Sequence, residues 1–480
     1  MSSSENTNVT PQTALASRSL KLIYVYAIAT GAIFTFIGYW DTVFVSYAGP
    51  GTFLAFALMT VLILPIAYVY CELAPMFPNV GGELVYNTIG LNKHAGFFSA
   101  WLIMAAWISV PPAAVMAIIQ WICRTAKIEP DFSIIVLIAV AVLIVYCVLS
   151  LLNVEIAGRI QLIMLVGAVA GCLISVVAII VSGHWSIENY SPFFRSILGD
   201  GPGSDFNIAG WVIGLGLIIT PFFGFETVPQ MIEEGDYEVK DSTKAIWGSV
   251  VTCGVVYSLF FFAIAGVDSW ENLLQLDANG TATVNFLSIT WFESVGWTQW
   301  AFVFGILEIL CAIGTCLLGF WLSTVRLLYA MGRQNFMPSA FARTNRFGQP
   351  IVPNILLLAI SIIFLVLMNA TTFVNDFFNL MAFGCACAYA ITMISAIRVR
   401  ITHPEWVSPY HLKGGMVTRV VALCIAVFIA VLCTLGQGVG SWKNFGIYIA
   451  IGVALWLWMM FVKWPKQSVH MMTPDGEKEY

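Results

Sequence analysis

Apolar runs long enough to cross a bilayer recur along nearly the whole of this chain, and no other feature restricts its fold as much. A spanning helix needs about 20 mostly apolar residues. Such runs lie near 22–46, 51–72, 94–122, 131–152, 156–182, 208–232, 244–267, 299–330, 352–370, 373–398, 417–436 and 441–463, which makes about twelve spans by the length rule. Of the 480 residues, 59% are hydrophobic and only 10% charged. An ordinary soluble domain carries roughly 25% charged residues. A soluble bundle built from this sequence would lack polar faces to cover its core. The chain is therefore predicted to be an all-α membrane protein.

Charge placement predicts its orientation. With the N-terminus inside, Arg18, Lys21, Lys93, Arg159, Lys240, Lys244, Arg326, Arg333, Arg343, Arg346, Arg398, Arg400, Lys413, Arg419, Lys463, Lys466 and Lys478 fall on the inner side. Arg124, Lys127, Arg195 and Lys443 fall outside. This positive-inside bias predicts a multi-pass protein of the cell membrane with both termini cytoplasmic. The start, MSSSENTNVT, is too polar for a signal peptide and reads as a cytosolic tail. Basic residues strung along one membrane face form no long patch, which argues against nucleic acid as a partner and leaves membrane lipid. The pattern leaves the oligomeric state open.

The residues that carry chemistry in enzymes are sparse. Eleven cysteines include no C-x-x-C pair and read as small apolar packing groups. Five histidines form no metal-spaced pair, so neither a metal nor another cofactor is expected. A membrane-embedded enzyme should show a concentrated His, Asp or Cys constellation, and an ATP-driven pump a phosphate loop. Neither pattern occurs, and the chain is read as a non-enzyme.

Two runs differ from the rest. YAIATGAIFTFIGYWD (Tyr26–Asp41) holds Gly31 and Gly38, and PFFGFETVPQMIEE (Pro221–Glu234) holds Pro221, Gly224 and Pro229 around Glu226. Each opens a block of five spans. Unusual spans at corresponding places in two halves point to an inverted-repeat transporter. Broken backbone at membrane depth must face a cavity, where a small polar solute can complete it. Free N–H groups suit a carboxylate and free carbonyls an ammonium, so the pair suits an amino acid or amine. A simple kink at each site is the plainer alternative.

Five stretches then resemble one family in the right order: Gly31–Pro50 ending in A-G-P, CELAPMFPNVGG (Cys71–Gly82), LNVEIAGR (Leu152–Arg159), FFGFETVPQMIEE (Phe222–Glu234), and RLLYAM (Arg326–Met331) with Pro338. The chain resembles the amino acid–polyamine–organocation superfamily of transporters, including bacterial amino acid permeases and antiporters. The resemblance implies a LeuT-like five-plus-five inverted repeat with two extra C-terminal helices and with helices 1 and 6 discontinuous. The implied divisions are a tail at 1–19, a first repeat at 20–182, an extracellular connection at 183–206, an inverted repeat at 207–398, helices 11 and 12 at 399–463, and a tail at 464–480.

The same resemblance places a substrate carboxylate on the amides of Thr35, Phe36, Ile37 and Gly38, and its amino group near Phe222 and Phe223. It sets Phe320 against the substrate chain with Thr220 opposite, and makes Glu226 a gating residue. The usual G-x-G of helix 1 is replaced by Thr35, Phe36 and Ile37, side chains that narrow the cavity and reduce access to the amides. The lysine that proton-coupled members carry in helix 5 is missing from Ile160–Ala170. That implies exchange or facilitated movement of an amino acid or amine by alternating access, with exchange as the leading reading. The alternatives are proton- or sodium-coupled symport, or a non-transporting sensor on the same scaffold.

Other acids sit in apolar runs. An intramembrane carboxylate should face a cavity, a partner or the membrane edge. Asp41 is read either as attracting a cationic substrate or as an interfacial residue. Glu308, deep in its span, is read as a coupling candidate beside a structural alternative. Glu72 is expected to cap the inner end of helix 2 and tie down the loop Pro78–Gly82, Asp376 to mark a helix end, and Glu233 and Glu234 to be solvated. Asn279–Thr281 has a glycosylation pattern.

Overall fold

A glycine in a left-handed conformation divides the first apolar run. Helix α1 (Leu22–Ile33) stops at Ile33, the chain runs non-helically over 34–40, and α2 (Asp41–Ala48) follows. Within the gap Gly38 has φ of +85°, which a residue without a Cβ adopts freely. After a turn at Gly49–Gly51 comes α3 (Thr52–Met76). The computed structural model describes residue 15 and residues 18–198, 204, 206–277, 282–370, 373–435 and 437–480, with backbone alone over 369–381. Most of the 1–19 tail, the Asn279–Thr281 pattern and the Asp376 side chain lie outside the described residues.

The chain continues through α4 (Glu83–Gly90), α5 (Lys93–Ala126), α6 (Phe132–Leu151) and α7 (Val154–Val181). Asn92 and Asn153 cap α5 and α7 by accepting from the N–H groups of Ala95 (2.9 Å) and Glu155 (3.0 Å), donors a first helical turn leaves unpaired. A second interruption follows α8 (Ile208–Ile218), whose Asn207 cap accepts from Gly210 N–H at 2.8 Å. A tight turn at Thr220–Phe222 leads to Gly224, at φ of +144°, and to a 3₁₀ stretch over Phe225–Glu234 that contains Pro229. A Cβ on Gly224 would lie 2.8 Å from Ile33 Cγ1 and 3.0 Å from Ala32 Cβ. Glycine at 224 thus lets the two interrupted segments touch.

The second half holds α9 (Ser242–Ala265), the short α10 (Trp270–Leu274) and α11 (Leu287–Ser294), and α12 (Thr298–Gly305). A π turn over Ile306–Ala312 joins α12 to α13 (Ile313–Arg333). After it come α14 (Ile351–Ala370), α15 (Phe373–Thr402), α16 (Gly415–Thr434) and α17 (Val439–Trp458). Among the described residues, eleven helical runs are long and apolar enough to cross a membrane, where the sequence predicts about twelve. The difference is α1, whose 12 residues end at the gap while Asp41–Met76 forms one apolar run. This is an all-α, multi-pass membrane fold. Helix α1 packs against α7, α9, α13 and the Phe225–Glu234 stretch, whereas α6, α14, α16 and α17 turn Leu137, Ile363, Val417 and Ile451 outward.

The last residues form a hairpin in which β1 (His470–Thr473) pairs antiparallel with β2 (Gly476–Glu479). Val469 and Met471 are buried, and the Asn79 and Asn335 side chains donate to the carbonyls of Met472 (3.3 Å) and Ser468 (2.8 Å). Two expected roles of acids are corrected here. Glu72 accepts from Arg419 Nε at 2.9 Å, while the 78–82 loop is held by Glu233, which accepts from Val80 N–H at 2.8 Å. Glu234 is fully buried and pairs through both oxygens with Arg326, whose Nη2 lies 3.0 Å from Oε1. The partners stand far apart in sequence, so local hydropathy carried no sign of them.

Candidate functional site

Where the gap at 34–40 meets the turn at 220–223, the bundle leaves a narrow cavity. Its walls are Thr35, Phe36 and Trp40 from the gap, Ala106, Val110, Ala113 and Ala114 from α5, Thr220 and Phe223, and Cys316 and Phe320 from α13. Its free volume is about 20 Å³, room for about one water. Among the described residues, no charged side chain lines it. Small residues on α5 create the space opposite the aromatic rings, and Phe320 is only 5% exposed.

Five of the residues expected around a substrate, Thr35, Phe36, Thr220, Phe223 and Phe320, therefore share this cavity. Ile37, Gly38 and Phe222 do not line it. Ile37 is buried in the core, Gly38 packs over Glu308, and Phe222 packs between Phe56 and Tyr257. The amides expected to be free are partly occupied. Thr35 N–H and Phe36 N–H both donate to the Tyr257 hydroxyl, at 3.0 and 3.3 Å, and that hydroxyl donates to Ile33 C=O at 2.7 Å. The buried Thr35 hydroxyl has no nitrogen or oxygen partner.

The three acids have different surroundings. Glu226 lies behind the cavity wall, fully buried, and accepts from Gly224 N–H (2.8 Å), Tyr389 Oη (2.9 Å) and Trp107 Nε1 (3.3 Å). It thereby ties the second interruption to α5 and α15. Asp41 is also fully buried, and accepts from Thr42 N–H (2.9 Å), Ser288 N–H (3.0 Å) and the Ser288 hydroxyl. It pins the start of α2 to α11 and does not line the cavity. Glu308, in the π turn, has no nitrogen or oxygen donor on either carboxylate oxygen. The Cys172 thiol of α7 lies beside it, and a Cβ on Gly171 would come within 3.3 Å of Oε1.

A wider recess of about 760 Å³ opens at one end of the bundle, lined by Tyr39, Trp40, Thr42, Ser46, Gln120, Arg124 and Phe286, among others. Trp40 belongs to both recess and cavity, and its ring packs on Phe36 at 5.3 Å between centroids. Tyr39 Oη donates to Gln120 Oε1 at 2.6 Å, and Arg124 pairs with Glu293 at 2.7 Å. At the other end, the Glu234–Arg326 pair and the Glu233–Arg333 pair (2.7 Å) bind the Phe225–Glu234 stretch to α13. Sequence reasoning missed Tyr257, Trp107, Tyr389 and Cys316. Aromatics and cysteines are common throughout the apolar runs, so these had no distinguishing signal. The run AAWISVPPAA in α5 did carry one, in its small residues and paired prolines.

A multi-pass bundle whose interrupted segments enclose a cavity, one residue away from a recess, has the build of a membrane transporter. The amino acid permease family model matches residues 20–456, so the chain belongs to the amino acid permease family, a class of non-enzymatic transporters. It is similar to the glutamate/serine transporter AimA of Bacillus subtilis (strain 168), at 24% identity over 462 residues covering 86% of this chain and 80% of that protein. It is similar to the branched-chain amino acid permease BcaP of Lactococcus lactis subsp. cremoris (strain MG1363), at 23% identity over 358 residues, 70% of this chain and 72% of that one. The methylthioribose transporter of Bacillus subtilis (strain 168) is 21% identical over 463 residues, 92% of each chain.

Proposed function

We propose that the protein carries an amino acid or a related amine across the cell membrane by alternating access, as an exchanger. The observation that carries this reading is the cavity at the meeting of the two interrupted segments, with Trp40, alone among the described residues, belonging to both it and the recess. In this reading α1, the 34–40 gap and α2 are helix 1 of a LeuT-like inverted repeat. Helix 6 is α8 with the stretch to Glu234, and α16 and α17 are the two additional helices. Both termini face the cytoplasm, the recess opens outward, and the ion pairs of Glu233 and Glu234 close the inner side. Thr35, Phe36, Ile37, Gly38, Thr220, Phe222, Phe223 and Phe320 are assigned to the substrate region, with Glu226, Asp41 and Glu308 to gating or coupling. Closure to about one water's space calls for movement of Trp40 and Phe36 when substrate enters. The names of the relatives span charged, polar and apolar solutes, which supports the transport of a small solute without choosing among them.

Counterflow into proteoliposomes tests the reading, with labelled amino acids and their decarboxylated amines, with and without sodium or proton gradients. Exchange of at least one of them without any gradient is expected. Accumulation seen only with a gradient would replace exchange with ion-coupled symport. That second reading is favoured by one observation, the carboxylate of Glu308 without a nitrogen or oxygen donor.

A further inference from the structure

We propose that Tyr257 selects the ligand, its hydroxyl occupying the Thr35 and Phe36 amides so that the cavity takes a small apolar amine in preference to the matching free amino acid. The inference rests on the transport reading above and narrows its substrate. Backbone N–H groups at a helix interruption are natural anion sites, and a carboxylate entering the cavity needs such donors because a buried charge without partners is costly. Here both amides already donate to the phenolic oxygen. That oxygen is fixed. Tyr257 is fully buried, its ring packs against Phe34 and Phe56 with centroids 5.5 and 4.9 Å away, and its own proton goes to Ile33 C=O at 2.7 Å.

Among the described residues, the cavity wall holds no lysine, arginine or histidine to replace those donors. Conditions for a cation are better. Both α1 and α8 end beside the cavity, at Ile33 and Ile218, and a helix C-terminus presents the negative end of its dipole. The buried Thr35 hydroxyl has no nitrogen or oxygen partner and lies against the Cys316 sulfur; with its proton directed to that sulfur, its oxygen can accept from an ammonium or amine N–H. The remaining wall is aromatic and aliphatic, suited to an apolar chain.

The test uses the full-length protein in proteoliposomes and ranks leucine, leucine methyl ester and isoamylamine as competitors of counterflow. Phenylalanine, its methyl ester and phenethylamine form a second series. The parent protein is expected to bind the amine and the ester about tenfold more tightly than the free acid. Tyr257→Phe keeps the ring and frees both amides, and should raise the affinity of the free acid relative to the amine by roughly tenfold, the scale of hydrogen bonds to a charged group. A parent that binds the free acid as tightly as the amine would overturn the selectivity while leaving the transport reading intact. An unchanged acid-to-amine ratio in a folded Tyr257→Phe would overturn the role of the hydroxyl. Should that variant fail to fold, the ranking in the parent decides. If counterflow occurs and no member of either series competes, the amine assignment falls and the transport reading stands; only a lack of counterflow for every labelled solute overturns the transport reading itself.

Discussion

Phe320, on α13, lines the cavity together with Phe36 and Phe223, and it is the simplest residue on which to test the site. Phe320→Ala is expected to cost about 1–3 kcal/mol of apolar contact with the substrate, roughly tenfold or more in apparent affinity, with membrane insertion intact. Substrate titration of exchange by purified protein checks it; an unchanged affinity would put the pocket elsewhere. Glu226 needs a different measurement. All three of its partners are donors, so a carboxylate satisfies them where an amide nitrogen would face a donor. Glu226→Gln should retain some exchange and flatten its dependence between about pH 5 and 8, because an amide does not titrate. A parent-like pH curve at normal activity would leave Glu226 as a brace for Gly224, Tyr389 and Trp107 only. The sequence singled out both residues beforehand, Glu226 by its place among prolines and a glycine and Phe320 by the family resemblance. The donors around Glu226 were not singled out, since tryptophan and tyrosine in an apolar run do not announce which carboxylate they will reach.

At the scale of elements, the interruptions and the contacts that hold them differ in origin. Pro221, Gly224 and Pro229 marked the second interruption in advance, because proline lacks an N–H and glycine admits a φ closed to other residues. The π turn at Ile306–Ala312 carried no such mark, as ILEILCA contains no breaker. The attachment of the Phe225–Glu234 stretch to α13 depends on Glu234 and Arg326, both fully buried, with Gln349 also within 3.0 Å of the guanidinium. Removing one member of a buried pair strands the other charge. Arg326→Ala is therefore expected to destabilise the protein by about 3–5 kcal/mol, and adding Glu234→Gln should recover part of the loss. Thermal unfolding in detergent gives the answer, and a loss in the double variant equal to the sum of the single losses would mean that the pair does not couple these elements.

At the scale of the whole molecule, the prediction concerns which end of the bundle faces out. Positive-inside placement predicts that Asp277→Cys, in a background without reactive native cysteines, is marked by an impermeant thiol reagent on intact cells, while Arg343→Cys is marked only after permeabilisation. Equal labelling at both positions would reject the proposed topology and, with it, the outward assignment of the recess. The membrane class, the approximate number of spans, the places of interruption and the family could all be read from the chain alone. Each depends on hydropathy over about 20 residues or on residue types within a short motif. Tertiary structure alone decided that α1 is too short to count as a span, that Glu72 pairs with Arg419 and Glu234 with Arg326, and that the cavity closes to about one water's space. It also decided that Tyr257, 222 residues from Thr35 in sequence, takes two of the amides of the first interruption, those of Thr35 and Phe36. Such contacts join side chains whose separation is set only when the whole bundle packs, and no local pattern encodes that distance.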